Sequence, residues 1–258
     1  MALFLDGAIS TTEDLTAQDS QLLNVASTEG IDLGVKLALA QEELGMDLHG
    51  LLDRAGPWDP LGWLSLGYVG NANIRHVVVT PPLKMWHTFR TLEAVYRDAY
   101  NNALNDRYAG KRDAFHEMAA WAREKLILLG IGMAWNPVPR AATPAVAPAQ
   151  GSFAAGTYYV TMAWVNGAGE EGASAGPAVT TTTGSTLSAH PGPAPQGAAG
   201  WNVYIGVSAD GMTLQNGSPL APGQGWTQPP ALTTAGRTAG SGQAPSYLWP
   251  APRILQRG

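Results

Sequence analysis

The composition of the chain changes abruptly near Pro137. Before that residue, charged side chains are frequent and apolar residues recur at helical spacing. From residue 139 to residue 245 the formal charges are Arg140, Glu170, Glu171, Asp210 and Arg237. Glycine, threonine, alanine and proline dominate that second part. The sequence therefore predicts a multi-domain protein of the α plus β class, with a helical first domain and a second domain of β-strands.

The net charge and the lack of cysteine restrict the possible functions. A formal net charge of −5 gives no support for a groove that binds nucleic acid tightly. Without cysteine the chain can form neither disulfides nor thiolate metal sites. The N-terminus lacks the basic region of a secretory signal, and no apolar run reaches the roughly 18 residues needed to cross a bilayer. We therefore expect a soluble protein made in the cytoplasm, with no membrane partner.

Apolar periodicity predicts about four helices in residues 1–136, arranged as an antiparallel bundle. They cover about residues 12–30, 32–52, 83–109 and 111–129. Thr12 is the predicted N-cap of the first helix. In the fourth helix, Met118 and Leu129 are assigned to the same apolar side as Phe115. Residues 56–82 favour an ordered loop with a short strand in the β-branched run at 77–80.

Strand signals dominate the second half. Residues 157–165 and 201–207 alternate along the chain, which predicts two strands that each have one apolar face. Asp210-Gly211 signals a hairpin, and residues 179–183 form another β-branched run. Short strands separated by glycine and proline clusters predict an antiparallel β-sandwich of immunoglobulin or fibronectin type III character.

The predicted organisation has four parts. They are a helical domain at 1–136, a Pro-rich linker at 137–150, a β-sandwich at 151–237 and an extended C-terminal arm at 238–258. The arm alternates large apolar side chains with arginine, and such residues dominate interface energetics. Its candidate docking residues are Tyr247, Leu248, Trp249, Arg253, Ile254, Leu255 and Arg257. A strand that returns to its own domain is an equally weighted alternative for this segment.

A G-x-G-x-x-G pattern occurs at residues 167–172, after a predicted strand. A dinucleotide site needs a helix after the glycines and a carboxylate about 20 residues further on. Here a Thr/Ala strand follows, and Glu170 and Glu171 would repel a pyrophosphate. We interpret the segment as a loop between two strands, and we expect no cofactor.

Metal binding and catalysis have weak support. His87 and His116 lie on helices predicted to pair, with Glu93, Asp113 and Glu117 not far in sequence, so a metal site is geometrically conceivable. The spacing matches no known ligand motif, and solvated or capping roles are favoured. The remaining carboxylates are scattered over helix surfaces. We therefore expect no metal site, no catalytic residues and no enzymatic activity.

The chain contains nine tryptophans, a high number for its length. Exposed aromatic rings on a sandwich could stack on sugars, which leaves carbohydrate binding as an alternative function, with Trp226 as its test residue. Trp164 and Trp201 occupy core-facing strand positions. Core packing or subunit contact is therefore the favoured role for these rings.

Short sequence strings in both halves resemble structural proteins of tailed phages. In the helical half they lie at residues 14–20, 25–32, 39–43 and 105–111. With the helix lengths, they make residues 3–139 resemble head-to-tail adaptors, or connectors, of the phage neck. In the second half, residues 156–160, the Gly-Glu-Glu-Gly turn and residues 200–204 are similar to immunoglobulin-like or fibronectin-like modules appended to phage structural proteins.

The resemblance implies a non-enzymatic virion protein. It implies a helical domain that packs side by side with its own copies into a ring, typically twelvefold, beneath the portal protein. A downstream neck or tail protein would bind the other side, and genomic DNA would pass through the channel without sequence-specific binding. The alternative is an adhesion or glycan-recognition protein at the tail tip or baseplate, with the helices as its oligomerising base.

Overall fold

The computed structural model describes residues 1–55, 72–103, 106–240 and 242–250. The described α-helices come before the strands, and the strands pair antiparallel, so the chain belongs to the α plus β class. It divides into two compact units that are not contiguous in sequence. The α unit comprises Gly7–Met133 and Pro245–Gly258, and the β unit comprises Met1–Asp6 and Ala134–Ala244. No helix within the described part of the chain is long and apolar enough to span a membrane.

The α unit is organised around one central helix. Its helices are α1 (Thr12–Gln18), α2 (Leu22–Glu29), α3 (Leu33–Ala55), α4 (Pro81–Ala103) and α5 (Ala109–Leu129). The second, third and fourth predicted helices are confirmed as α3, α4 and α5. Helix α4 packs against the other four helices. Its Leu92, Val95 and Tyr96 are fully buried, so α4 forms the core of this unit.

The first predicted helix is wrong in two respects. It is two helices, α1 and α2, and the N-cap of α1 is Thr11 instead of Thr12. The break lies at Asp19, whose backbone is extended. The Asp19 carboxylate accepts hydrogen bonds from Lys111 Nζ at 2.6 Å, from the Tyr96 hydroxyl and from the backbone N–H of Gln21. Burial would raise the pKa of Asp19, but these hydrogen bonds outweigh it and lower the pKa.

The residues between α3 and α4 are described in part. Residues 56–71 of the predicted loop lie outside the described residues. In the β-branched run, Val77 forms a bridge with Met133 and Val78 donates its N–H to the Gly132 carbonyl at 2.8 Å, but residues 77–80 do not form a regular strand.

The strands, in chain order, are β1 (Ile131–Met133), β2 (Ala145–Ala149), β3 (Gly156–Asn166), β4 (Ala178–Thr182), β5 (Thr186–His190), β6 (Ala198–Gly206), β7 (Thr213–Leu214), β8 (Trp226–Thr227) and β9 (Ser246–Leu248). In the β unit, one sheet has the order β2-β5-β8 and another has the order β4-β3-β6-β7. The predicted hairpin at Asp210-Gly211 is confirmed as the connection from β6 to β7. Strands β1 and β9 pair within the α unit.

The predicted alternation of two strands is confirmed. One buried cluster contains Tyr158, Val160, Met162 and Trp164 of β3, Trp201, Val203 and Ile205 of β6, Leu187 and Ala189 of β5, and Trp226 of β8. Both sheets of the β unit therefore contribute to a common core. Val207 was predicted to share this face, but it is exposed because β6 ends at Gly206.

The predicted linker at 137–150 is not a free segment. It contains β2, and its Val138 and Ala141 are buried in the core of the β unit. Pro148 is accommodated opposite Leu187 because β2 is an edge strand, where a missing N–H costs no ladder hydrogen bond on the open side. The Pro-rich stretch is therefore part of the β unit.

Candidate functional site

Residues 246–248, part of the predicted arm, return to the α unit as β9. This strand runs antiparallel to β1, with Leu248 opposite Ile131. Leu248 and Ile131 are buried, whereas Tyr247 is 43% exposed and Trp249 is 61% exposed. The rings of Tyr247 and Trp249 lie side by side, with centroids 6.4 Å apart. We call these two exposed residues the aromatic pair.

The structure describes three of the seven predicted docking residues. Tyr247 and Trp249 are exposed, and their docking role stays a prediction. Leu248 is buried against its own chain, which leaves little of its side chain for a partner, and its docking role also stays a prediction. Arg253, Ile254, Leu255 and Arg257 lie outside the described residues.

Gly130 allows the aromatic pair to lie against the C-terminal end of α5. It ends the helix by donating its N–H to the Leu126 carbonyl at 2.9 Å, and its φ of 94° favours glycine. A Cβ at this position would lie 3.1 Å from Cβ of Tyr247 and 3.2 Å from Cε2 of Trp249. The position of the aromatic pair therefore depends on a glycine at residue 130.

Replacing Gly130 with alanine is expected to lower the free energy of unfolding by about 1–3 kcal/mol, because alanine is strained at positive φ and would crowd both rings. Gly30 is the matched control, since it also follows a helix with a positive φ of 66° but has no atom near its Cβ position. Urea titration of both variants measures the extra loss at Gly130, to which the crowded rings and the less permissive backbone of Gly130 (ψ 152°, against 32° at Gly30) both contribute. An equal loss in Gly130→Ala and Gly30→Ala would contradict the crowding.

The exposed side of α5 carries a second set of apolar residues. Phe115, Ala119, Ala122 and Leu126 are buried, whereas Met118, Trp121, Leu128 and Leu129 are exposed. The spacing of the exposed set places it on one side of the helix. Met118 and Leu129 were predicted to share the side of Phe115, and that assignment is wrong. We call the four exposed residues the α5 face; Lys125 lies among them, with Nζ 5.9 Å from the ring centre of Trp121.

Helix α3 also has an exposed apolar side. Val35, Leu39 and Met46 are exposed and lie on one side of the helix, and we call them the α3 face. Glu42 falls within this face and is exposed as well. Leu44 and Leu48 are buried on the other side.

Both faces lie on helices that pack against α4. The α unit therefore presents apolar side chains on two different helices. The α3 face contains the carboxylate of Glu42, and the α5 face contains the ammonium group of Lys125. Exposed apolar patches with polar rims are typical of protein interaction surfaces. The arrangement is suited to binding two protein partners, or one partner through two surfaces.

The glycine pattern at 167–172 forms a turn after β3, and the next strand is β4, as predicted for a loop. Both carboxylates of this turn have partners inside the β unit. Glu170 accepts hydrogen bonds from Nδ2 of Asn166 at 2.8 Å and from Nε2 of Gln243 at 3.0 Å.

Glu171 is the centre of a buried polar network. It accepts a hydrogen bond from the Tyr204 hydroxyl at 2.6 Å and another from the Asn202 side chain. Arg237 donates to both carboxylate oxygens, at 2.8 and 3.1 Å. Burial and the hydrogen bond to Glu171 raise the pKa of Tyr204 above its ordinary value. Glu171 thus links β6, through Asn202 and Tyr204, to the segment around Arg237.

His87 and His116 have different partners. Nδ1 of His116 lies 3.1 Å from Oε1 of Glu93, whereas the buried His87 bonds through Nε2 to the Leu37 carbonyl at 3.0 Å. Within the described residues, no group of three or more histidines and carboxylates is placed to hold a metal ion.

Burial lowers the pKa of His87 below its ordinary value of 6.5, against the smaller raising effects of the Leu37 hydrogen bond and of Asp14. The unfolded chain therefore binds the proton more readily, and stability should fall as the pH drops below 6.5. At pH 5.5 this loss is at most about 1.4 kcal/mol.

His87→Gln, which keeps a donor for the Leu37 carbonyl but does not titrate, should lose less stability between pH 7.5 and 5.5. Urea titration of both proteins at the two pH values measures the difference. The same pH dependence in both would assign the effect to other groups.

Comparisons of the chain with protein-family models, with curated proteins and with solved structures found no match.

Proposed function

We propose that this protein is a head-to-tail adaptor of a tailed phage, a structural virion protein that forms a ring and docks on the portal protein. The ring, twelvefold by resemblance, would join capsid to tail around the DNA channel. The protein would be made in the host cytoplasm and reside in the neck of the virion. A formal net charge of −5 suits a channel wall that does not retain DNA.

The observation that carries this proposal is the pair of apolar faces on α3 and α5. A subunit of a closed ring contacts its two neighbours through two different surfaces. The α3 face and the α5 face supply two such surfaces on one compact unit. Their exposed apolar residues would then be buried in the assembled ring.

The proposal includes a finer description of both units. We interpret α1–α5 as an antiparallel bundle that forms the ring wall. We interpret the two sheets of the β unit as an immunoglobulin-like sandwich, because they are antiparallel and share one core. The sandwich would decorate the ring or brace neighbouring subunits.

The aromatic pair is the proposed portal contact, since exposed Tyr and Trp side chains are frequent binding hot spots. Deleting residues from Tyr247 onward would also remove β9, so point variants give a cleaner test. Trp249→Ala is expected to weaken binding to the portal protein at least tenfold and to leave thermal unfolding unchanged, because Trp249 is 61% exposed. Biolayer interferometry and a thermal melt measure both quantities. Leu23→Ala, on α2, is the matched control and should keep portal affinity, because Leu23 is 55% exposed and lies outside the aromatic pair and both apolar faces.

The location of the protein can be tested by immunogold labelling of purified phage particles with an antibody against the β unit. Gold at the head-to-tail junction is expected. Gold at the distal tail tip, or no gold on particles, would discard the adaptor function. The glycan-binding alternative gains no support, because Trp226, its test residue, is buried in the core of the β unit.

A further inference from the structure

Glu42 and Lys125 occupy equivalent places in two apolar faces. Glu42 lies between Leu39 and Met46, and Lys125 lies between Trp121 and Leu128. Neither charged group has an ion-pair partner among the described residues of its own chain. Each therefore lacks an opposite charge within the described part of its own chain and lies among apolar side chains, with Lys125 also near the ring of Trp121.

The spacings of the two faces match when the helices run in opposite directions. Leu39 precedes Glu42 by three residues, as Leu128 follows Lys125 by three. Met46 follows Glu42 by four residues, as Trp121 precedes Lys125 by four. With Glu42 opposite Lys125, Leu39 thus meets Leu128 and Met46 meets Trp121, so apolar residues flank a pair of acid and base.

We propose that the α3 face of one copy packs antiparallel on the α5 face of a second copy of this chain, with Glu42 opposite Lys125. The contact deepens the proposed function and rests on it, since it names the subunit interface of the ring. Two helices that pack side by side at a small angle bring such matched positions into contact.

The antiparallel direction follows from burial. In that direction every exposed residue of the α5 face meets an exposed residue of α3, with Met118 opposite His49 and Leu129 opposite Ala38. A parallel arrangement would place Leu128, which is 67% exposed, opposite the buried Gly45. It would leave the most exposed leucine of the face without a partner.

The contact is head to tail, because the two faces are different surfaces and lie on helices that both pack on α4. Such a contact repeats from copy to copy and closes into a ring when the rotation allows it.

The lack of cysteine makes cross-linking a direct test. The full-length double variant Leu39→Cys/Leu128→Cys is expected to form a ladder of disulfide-linked oligomers under mild oxidation, whose uppermost band gives the number of copies. Each single variant should stay uncross-linked. Met46→Cys/Leu129→Cys, which tests the parallel direction, should give no ladder. A ladder in that control, or dimers from a single variant, would overturn the proposed arrangement.

Charge reversal provides a second test on the same protein. Glu42→Lys or Lys125→Glu alone should weaken self-association about tenfold in sedimentation experiments, and the double reversal should restore it to within about threefold. Failure of the double reversal to restore association would overturn the pairing. Gold at the phage neck without cross-linking would overturn this contact and keep the adaptor function. Cross-linking with gold elsewhere on the particle would keep the contact and overturn the adaptor function.

Discussion

Trp201→Ala is expected to lower the free energy of unfolding of the β unit by about 3–5 kcal/mol, a large share of the stability of a domain of this size. Trp201 is fully buried and lies opposite Trp164 on β3. Its indole Nε1 donates to the Gln224 carbonyl at 3.1 Å. Removing the ring leaves a cavity between two sheets and an unpaired carbonyl group.

Urea titration followed by circular dichroism measures this loss. Trp249→Ala is the matched control, since it deletes the same side chain at a position that is 61% exposed. The control should change stability by less than about 1 kcal/mol. Equal losses in the two variants would show that Trp201 does not have the core role that its burial assigns.

Glu171→Ala is expected to destabilise the β unit by about 2–4 kcal/mol. The cost arises mainly from the buried groups that lose their acceptor, the Tyr204 hydroxyl and the Asn202 amide. The loss of the Arg237 ion pair adds less to this cost, because the Arg237 side chain is 55% exposed and water can solvate the freed guanidinium group.

Two further variants separate these contributions. Glu171→Gln retains the volume and one acceptor, so its loss should be about half that of Glu171→Ala. Glu170→Ala, next in sequence, should cost less than Glu171→Ala, because Glu170 is exposed and its donors Asn166 and Gln243 both keep the Asn136 carbonyl as an acceptor. The free energies of unfolding from urea titration test the order. A larger loss in Glu170→Ala than in Glu171→Ala would contradict the network.

Elements that depend on local signals are predictable from the sequence. The alternation in β3 and β6 and the helix breakers around α3, α4 and α5 act within a few residues, and these elements lie close to where they were expected. Elements that depend on partners distant in sequence cannot be predicted in this way. The break at Asp19 needs Lys111, and β2 needs β5 before a Pro-rich segment can be recognised as a strand.

The same reasoning applies to the candidate site. The sequence indicates Tyr247 and Trp249 as anchors because aromatic residues and arginine dominate interface energetics, but it cannot show that Leu248 turns inward against Ile131. The sequence of α5 contains a second periodic set, since Trp121 and Leu128 are seven residues apart. Assigning Met118 and Leu129 to the side of Phe115 conceals this set.

The pairing of β1 with β9 also sets the order of events during translation. The ribosome makes β9 roughly 115 residues after β1, which at 5–20 residues per second is a delay of roughly 6–23 s. During that time β1 has emerged without its partner, and residues 134–244 of the β unit are synthesised in between. A chain interrupted before Ser246 would therefore carry every helix of the α unit but would lack the strand that positions the aromatic pair.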